Sequence, residues 1–199
     1  ATTSSPSSRW VAAASQPGED AALYEAVKAI GLELCPALDI SIPVGKDSLS
    51  MQSRWEMDGQ MHASSSPVSL IISAFAPVID AGATLTPELN RTAPVAETEL
   101  LLIDLGHGRN RLGGSALAQV YGQVGNIVPD VDDAAALRKF FAVVRELASS
   151  GRILAYHDRA DGGLLVTLAE MMFASRSGVT IYLDTLTYAE READVDDYD

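Results

Sequence analysis

Apolar residues first recur at helical spacing at Leu23, Val27, Ile30 and Leu34, behind a Pro17-Gly18 break. Glu19 and Asp20 stand at the leading end, where the helix dipole favours acids, and Pro36 is expected to stop the helix. The period then drops to two. Residues 39–43 alternate, residues 49–57 are amphipathic as a strand, Asp58-Gly59 is a hairpin turn signal, and residues 68–76 read as a buried strand. Residues 84–97 are rich in Pro and Thr without apolar periodicity and read as a linker. Residues 100–105 (LLLIDL) then predict a buried strand, 106–114 a turn and 115–121 a helix. Leu137, Phe140, Phe141, Val144 and Leu147 mark an amphipathic helix. A short strand at 153–156, a helix at 164–174 with Leu165, Leu168, Met171 and Met172 available for a core, and a strand at 179–183 follow. Helices and strands mix without the regular alternation of a doubly wound sheet, so the expected class is α+β with two incomplete domains. The expected division is a poorly ordered lead-in at 1–16, a first unit at 17–81, a linker at 82–97, a second unit at 98–186 and an acidic tail at 187–199.

Charge narrows the range of partners. The chain is 47% hydrophobic, which suits a packed core, but its net charge is −13. A surface of that sign repels phosphate backbones, and no basic patch offsets it, so nucleic acid is not an expected partner. Close to half of the excess lies in residues 184–199, with seven acids against Arg191, a pattern that reads as a solvated tail. The single Cys35, in an apolar stretch, excludes an internal disulfide, reads as a buried small hydrophobe and fits a reducing cytoplasm. No run approaches the ~18 apolar residues of a membrane helix. The start lacks a signal peptide and an initiator methionine, and with the abrupt acidic end this suggests a piece of a longer polypeptide.

Three glycine-containing segments carry candidate chemistry. In PVGKDS at 43–48, Lys46 after Gly45 invites a P-loop reading, but Ile40 and Asp47 occupy positions that need Gly and Ser or Thr. A turn with Lys46 and Asp47 paired on the surface is the alternative. In GHGRNRLGGS at 106–115, Arg111 replaces the third glycine of a dinucleotide fingerprint, while Gly113, Gly114 and Ser115 could present amides to an anion at a helix start. Ordinary strand-to-helix turn chemistry explains that segment as well. In HDRADGGL at 157–164, Asp158 and Asp161 are hard oxygen donors suited to Mg²⁺, beside Gly162 and Gly163, whose amides suit phosphate. The alternative makes Asp161 a helix cap and pairs Asp158 with Arg159. His62, His107 and His157 share no ligand spacing, which leaves zinc and triad chemistry without support.

WVAAA at 10–14, PGEDAALY at 17–24, IPVGKDSLSM at 42–51, SPVSLIISAF at 66–75 and YHDRADGGLLVTLAEM at 156–171 together resemble the phosphoribosylformylglycinamidine synthase family in its large, single-chain form. The resemblance runs in order from Trp10 to about Leu186. It implies the end of one aminoimidazole-ribonucleotide-synthetase-like N-terminal half, in a second tandem copy, and the start of the following C-terminal half. It also implies an ATP-dependent amidotransferase of de novo purine biosynthesis. Formylglycinamide ribonucleotide, glutamine and ATP would give formylglycinamidine ribonucleotide, ADP, phosphate and glutamate, with Mg²⁺ as metal and a glutaminase domain elsewhere in the polypeptide as partner. By the same resemblance Asp158 is a Mg²⁺ ligand, and Ala160 replaces a serine that contacts ATP. Asp161, Gly162, Gly163, Gly113, Gly114, Ser115, Lys46, Asp47 and Ser48 are placed near the nucleotide (ATP or ADP) or substrate cleft. No residue of this chain is assigned a catalytic role, and the segment alone is expected to be inactive. The competing expectation is a structural module that holds a non-catalytic Mg-nucleotide between duplicated domains.

Overall fold

The computed structural model describes residues 6–89, 98–184 and 186. It divides after Ala81 into two compact units; the first mixes helix and strand, the described residues of the second hold helices, and the chain as a whole is α+β.

In the first unit, β1 (Ser7–Val11) is the central strand of a three-stranded sheet. β2 (Val44–Ser48) lies parallel on one side, with Arg9 opposite Lys46. β5 (Ser69–Ser73) lies antiparallel on the other, with Arg9 opposite Ile71. Residues 7–11 were expected within a poorly ordered lead-in. Partners on both edges satisfy the backbone of this Ser-containing segment, and pairing outweighs composition. The parallel step from β1 to β2 needs a crossover, and the helical stretch between them supplies it. α1 (Glu19–Lys28) passes through a π turn at Ala29–Leu34 into α2 (Cys35–Leu38). Pro36 does not end the helix. It stands at the beginning of α2, just after the register change, where its missing N–H is tolerated. The stop comes at Asp39, in the left-handed region at φ 59°. Its N–H donates to the Pro36 carbonyl (3.1 Å) and the Ile40 N–H to that of Cys35 (3.0 Å), a Schellman closure.

The alternating 39–43 run is not a strand; β2 begins one residue later. β3 (Gln52–Met57) and β4 (Gln60–Ser65) form the hairpin that Asp58-Gly59 announces. Both turn residues have positive φ (54° and 73°), the type I′ geometry that matches strand twist. Trp55 and His62, directly opposite, stack at 5.6 Å. Buried Ala12 and Ala13 sit where the chain leaving β1 meets residues 48–51, through bonds from Ala12 N–H to Ser48 O (3.0 Å) and Met51 N–H to Ala12 O (3.1 Å). Cys35 is buried and its thiol forms no disulfide, as expected of a small hydrophobe.

In the second unit, α3 (Ala116–Val120) is capped by Ser115, α4 (Ala134–Ser149) by Asp133, and α5 spans Gly163–Ser175. α5 buries Leu168 and Met171, with Thr167 bonded to the Gly163 carbonyl (3.0 Å). The Leu89 N–H donates to the buried Ser175 hydroxyl (2.6 Å). The expected strands at 100–105, 153–156 and 179–183 form no β-ladder among the described residues, with Leu101 79% exposed. An apolar run becomes a strand only when a neighbour completes its ladder. α4 leaves Phe141 62% exposed, with Arg145 5.8 Å over its ring, so part of its apolar face is uncovered. The expected tail at 187–199 and residues 90–97 of the expected linker lie outside the described residues. Among the described residues no helix is long and apolar enough to cross a membrane.

Leu168 and Leu165 share α5 but differ in burial, at 8% and 75% exposure. Leu168→Ala is expected to cost about 2–5 kcal/mol, and Leu165→Ala to stay within about 0.5 kcal/mol. Urea unfolding of the two variants checks this, and equal midpoints would contradict the packing of α5.

Candidate functional site

The second unit brings two loops together through one carboxylate. Asp104 accepts hydrogen bonds from the N–H of Gly106 (2.9 Å) and of Gly108 (2.7 Å), one on each oxygen. Arg159, from the 157–163 loop, reaches the same carboxylate at 3.5 Å. The Gly108 and Gly106 N–H groups hold the Asp104 carboxyl below its ordinary pKa; burial opposes them, and the Arg159 charge adds to the lowering. A short polar residue ahead of Gly-x-Gly is a turn signal that could have singled out Asp104 from the sequence.

Further along the first loop, Arg109 (3.1 Å) and Arg111 (2.7 and 2.8 Å) converge on Asp132. The two-pronged contact from Arg111 keeps the Asp132 carboxyl below its ordinary range. The fingerprint position filled by Arg111 is therefore an ion-pair position. Gly113 and Gly114 do not present open amides. Their N–H groups donate to the carbonyls of Ile127 (2.7 Å) and Val124 (2.8 Å). A Cβ on Gly113 would lie 2.5 Å from the Ile127 oxygen, so close backbone approach explains that glycine. The Ser115 hydroxyl accepts from the Ala118 N–H (3.1 Å) as the cap of α3.

In the second loop, Asp161 is not the helix cap. Gly162, at φ 87°, holds that position without any side-chain cap, and a Cβ there would meet Val166 at 2.3 Å. The Gly163 N–H closes onto the Ala160 carbonyl (3.0 Å). Asp158 does not pair with Arg159 either. Its Oδ1 accepts from the Tyr156 hydroxyl at 2.6 Å, which with burial pushes the phenol pKa up to about 12. Its Oδ2 makes no hydrogen bond or ion pair among the described residues. His157 Nε2 lies 2.6 Å from Glu170 Oε2 on α5. No feature of the sequence marks Glu170 as its partner.

Lys46, Asp47 and Ser48 belong to the first unit, on β2, where the Lys46 ammonium donates to the Ser48 hydroxyl (3.0 Å). Asp47 occupies the intervening strand position, opposite Trp10, and its side chain alternates to the other face of the sheet. The surface Lys46–Asp47 pair of the alternative reading is replaced by this Lys46–Ser48 contact.

No three His, Cys, Asp or Glu residues gather into a metal cluster among the described residues. Asp158, with one open oxygen, still suits Mg²⁺, which is commonly held by one or two protein carboxylates together with waters and nucleotide phosphates.

Two family models match the chain. The FGAR-AT PurM N-like domain matches residues 3–77, and the C-terminal domain of AIR synthase related proteins matches residues 98–198. Enzymes with the second domain bind ATP, and both domains point to purine biosynthesis. The candidate loops at 104–115 and 156–163 fall inside the second match, and Lys46 to Ser48 inside the first.

Because folding lowers the Asp104 pKa, its contribution to stability is complete above the ordinary carboxylate range and disappears as pH falls through the lower folded-state value. Asp104→Asn should therefore be less stable than the parent at pH 7, with the gap closing under acid. Urea midpoints at both pH values check this, and a gap that widens in acid would remove Asp104 as the closure of the loop.

Proposed function

The chain belongs to the AIR synthase related proteins, and from that premise we propose that it is a segment of a large, single-chain phosphoribosylformylglycinamidine synthase. An FGAR-AT PurM N-like domain followed by the AIR synthase related domain supports the reading, as do the motifs at 42–51 and 156–171. The reaction is the ATP-dependent conversion of a formamide to an amidine. The formamide oxygen is phosphorylated, ammonia released from glutamine adds to the same carbon, and phosphate leaves. A glutaminase domain elsewhere in the same polypeptide supplies the ammonia, and the cytoplasm is the compartment. Cys35, buried in α2, is not its nucleophile.

The observation that carries the reading is the open Oδ2 of Asp158 at the head of HDRADGGL. Bound with nucleotide, Mg²⁺ offsets charge on the phosphate oxygens. The chain holds Asp158 at a fixed place for it: Asp104 ties Arg159 to the neighbouring loop, and His157 meets Glu170 on α5. Gly162 and Gly163, with Asp161 beside them, turn the chain sharply into α5 next to that carboxylate. Gly113, Gly114 and Ser115 close the turn before α3 within the same unit, and the Lys46, Asp47 and Ser48 segment on β2 belongs to the motif at 42–51 that supports the family reading. Ala160 offers ATP or ADP no side-chain hydroxyl. That substitution favours a second reading, in which nucleotide stays bound and stabilises the fold by mass action rather than turning over.

In the intact synthase, Asp158→Asn should lower Mg-nucleotide occupancy at this site by at least about tenfold, the scale of one lost charge-assisted contact. Equilibrium dialysis with labelled ADP measures it, and unchanged occupancy would remove Asp158 from the site. Exchange of the label during turnover separates a working site from a structural one.

A further inference from the structure

Consecutive side chains of the 156–159 segment leave in different directions. His157 meets Glu170 at 2.6 Å, and Arg159 meets Asp104 at 3.5 Å. The two basic neighbours that could have neutralised Asp158 are therefore engaged with other acids. The one contact that Asp158 makes among the described residues comes from a neutral donor, the Tyr156 hydroxyl at 2.6 Å. Tyr156 is itself pinned, since its N–H donates to the Thr86 carbonyl at 2.9 Å.

Building on the reading of Asp158 as a metal ligand, we infer that Tyr156 is the positioning residue of that ligand, its hydroxyl fixing Oδ1 so that Oδ2 faces a divalent cation. The physical case rests on three points. An aspartate on a loop has two equivalent oxygens and free rotation about its terminal bond, so an unrestrained carboxylate loses entropy when a metal selects one orientation. A phenol on a rigid ring removes that freedom in advance. Being uncharged, it leaves the carboxylate its full negative charge, which an arginine or lysine in the same place would cancel. Partners of this kind, one shell behind a metal ligand, are worth 10- to 100-fold in metal affinity in other proteins.

The test uses the intact polypeptide that carries this segment, with Mn²⁺ as the probe in the presence of ADP and binding read by electron paramagnetic resonance. Asp158→Asn defines which bound Mn²⁺ belongs to the site. Tyr156→Phe should weaken that same Mn²⁺ about tenfold, alter its spectrum and add nothing in the Asp158→Asn background. Wild-type affinity in Tyr156→Phe, with the Mn²⁺ lost in Asp158→Asn, would overturn the role of Tyr156 and leave the metal ligand standing. Wild-type binding in Asp158→Asn would overturn the metal reading itself. Should Tyr156→Phe not fold, 4-aminophenylalanine and 4-methylphenylalanine at position 156 both keep the ring and differ in the donor. Tighter Mn²⁺ with the amine supports the role, and equal binding overturns it.

Discussion

The Asp104 carboxylate is the constraint on which the candidate site depends. Two N–H groups from one turn and a guanidinium from another loop meet on its oxygens, so the two glycine-containing segments are held as one assembly. Without that charge, Gly106 and Gly108 would lose the acceptor that closes their turn, and Arg159 would be free to swing toward Asp158. Asp104 thus acts on the candidate ligand indirectly, by occupying the cation that would otherwise neutralise it.

The same division of labour recurs along the second unit. Asp132 gathers Arg109 and Arg111, and Glu170 takes His157. Acids are abundant in this chain, and several serve to pin basic side chains rather than to bind a ligand. The glycines follow a similar logic. Gly113 is required by the Ile127 carbonyl and Gly162 by Val166, so both answer to the backbone before any ligand. A Gly-Gly pair that looks like a phosphate cradle in sequence is, at 113–114, a pair of amides already bonded to neighbouring carbonyls.

Local chemistry made some elements legible. Asp58-Gly59 specifies its hairpin because both residues tolerate positive φ. The periodicity around Phe140 and Phe141 announced α4, and the apolar run after Gly163 announced α5, because helices close their hydrogen bonds within the segment. Strands do not. Residues 100–105 and 153–156 have strand composition but no ladder partner among the described residues, whereas Ser-containing residues 7–11 have two. Pro36 misled for a related reason, since a proline rule written for an uninterrupted α-helix does not cover a π turn just before it.

What the sequence determined by itself is the mixed class, the two helices with strong patterns and the hairpin. Those properties depend on neighbours a few residues apart. Tertiary structure alone decided which carboxylate stays open. Asp104, Asp132 and Glu170 lie far along the chain from the basic residues they engage, and such pairings follow from how loops fold back rather than from local spacing. The contact between Tyr156 and Asp158 is local in sequence, yet only the folded backbone shows that the phenol takes one oxygen and leaves the other exposed.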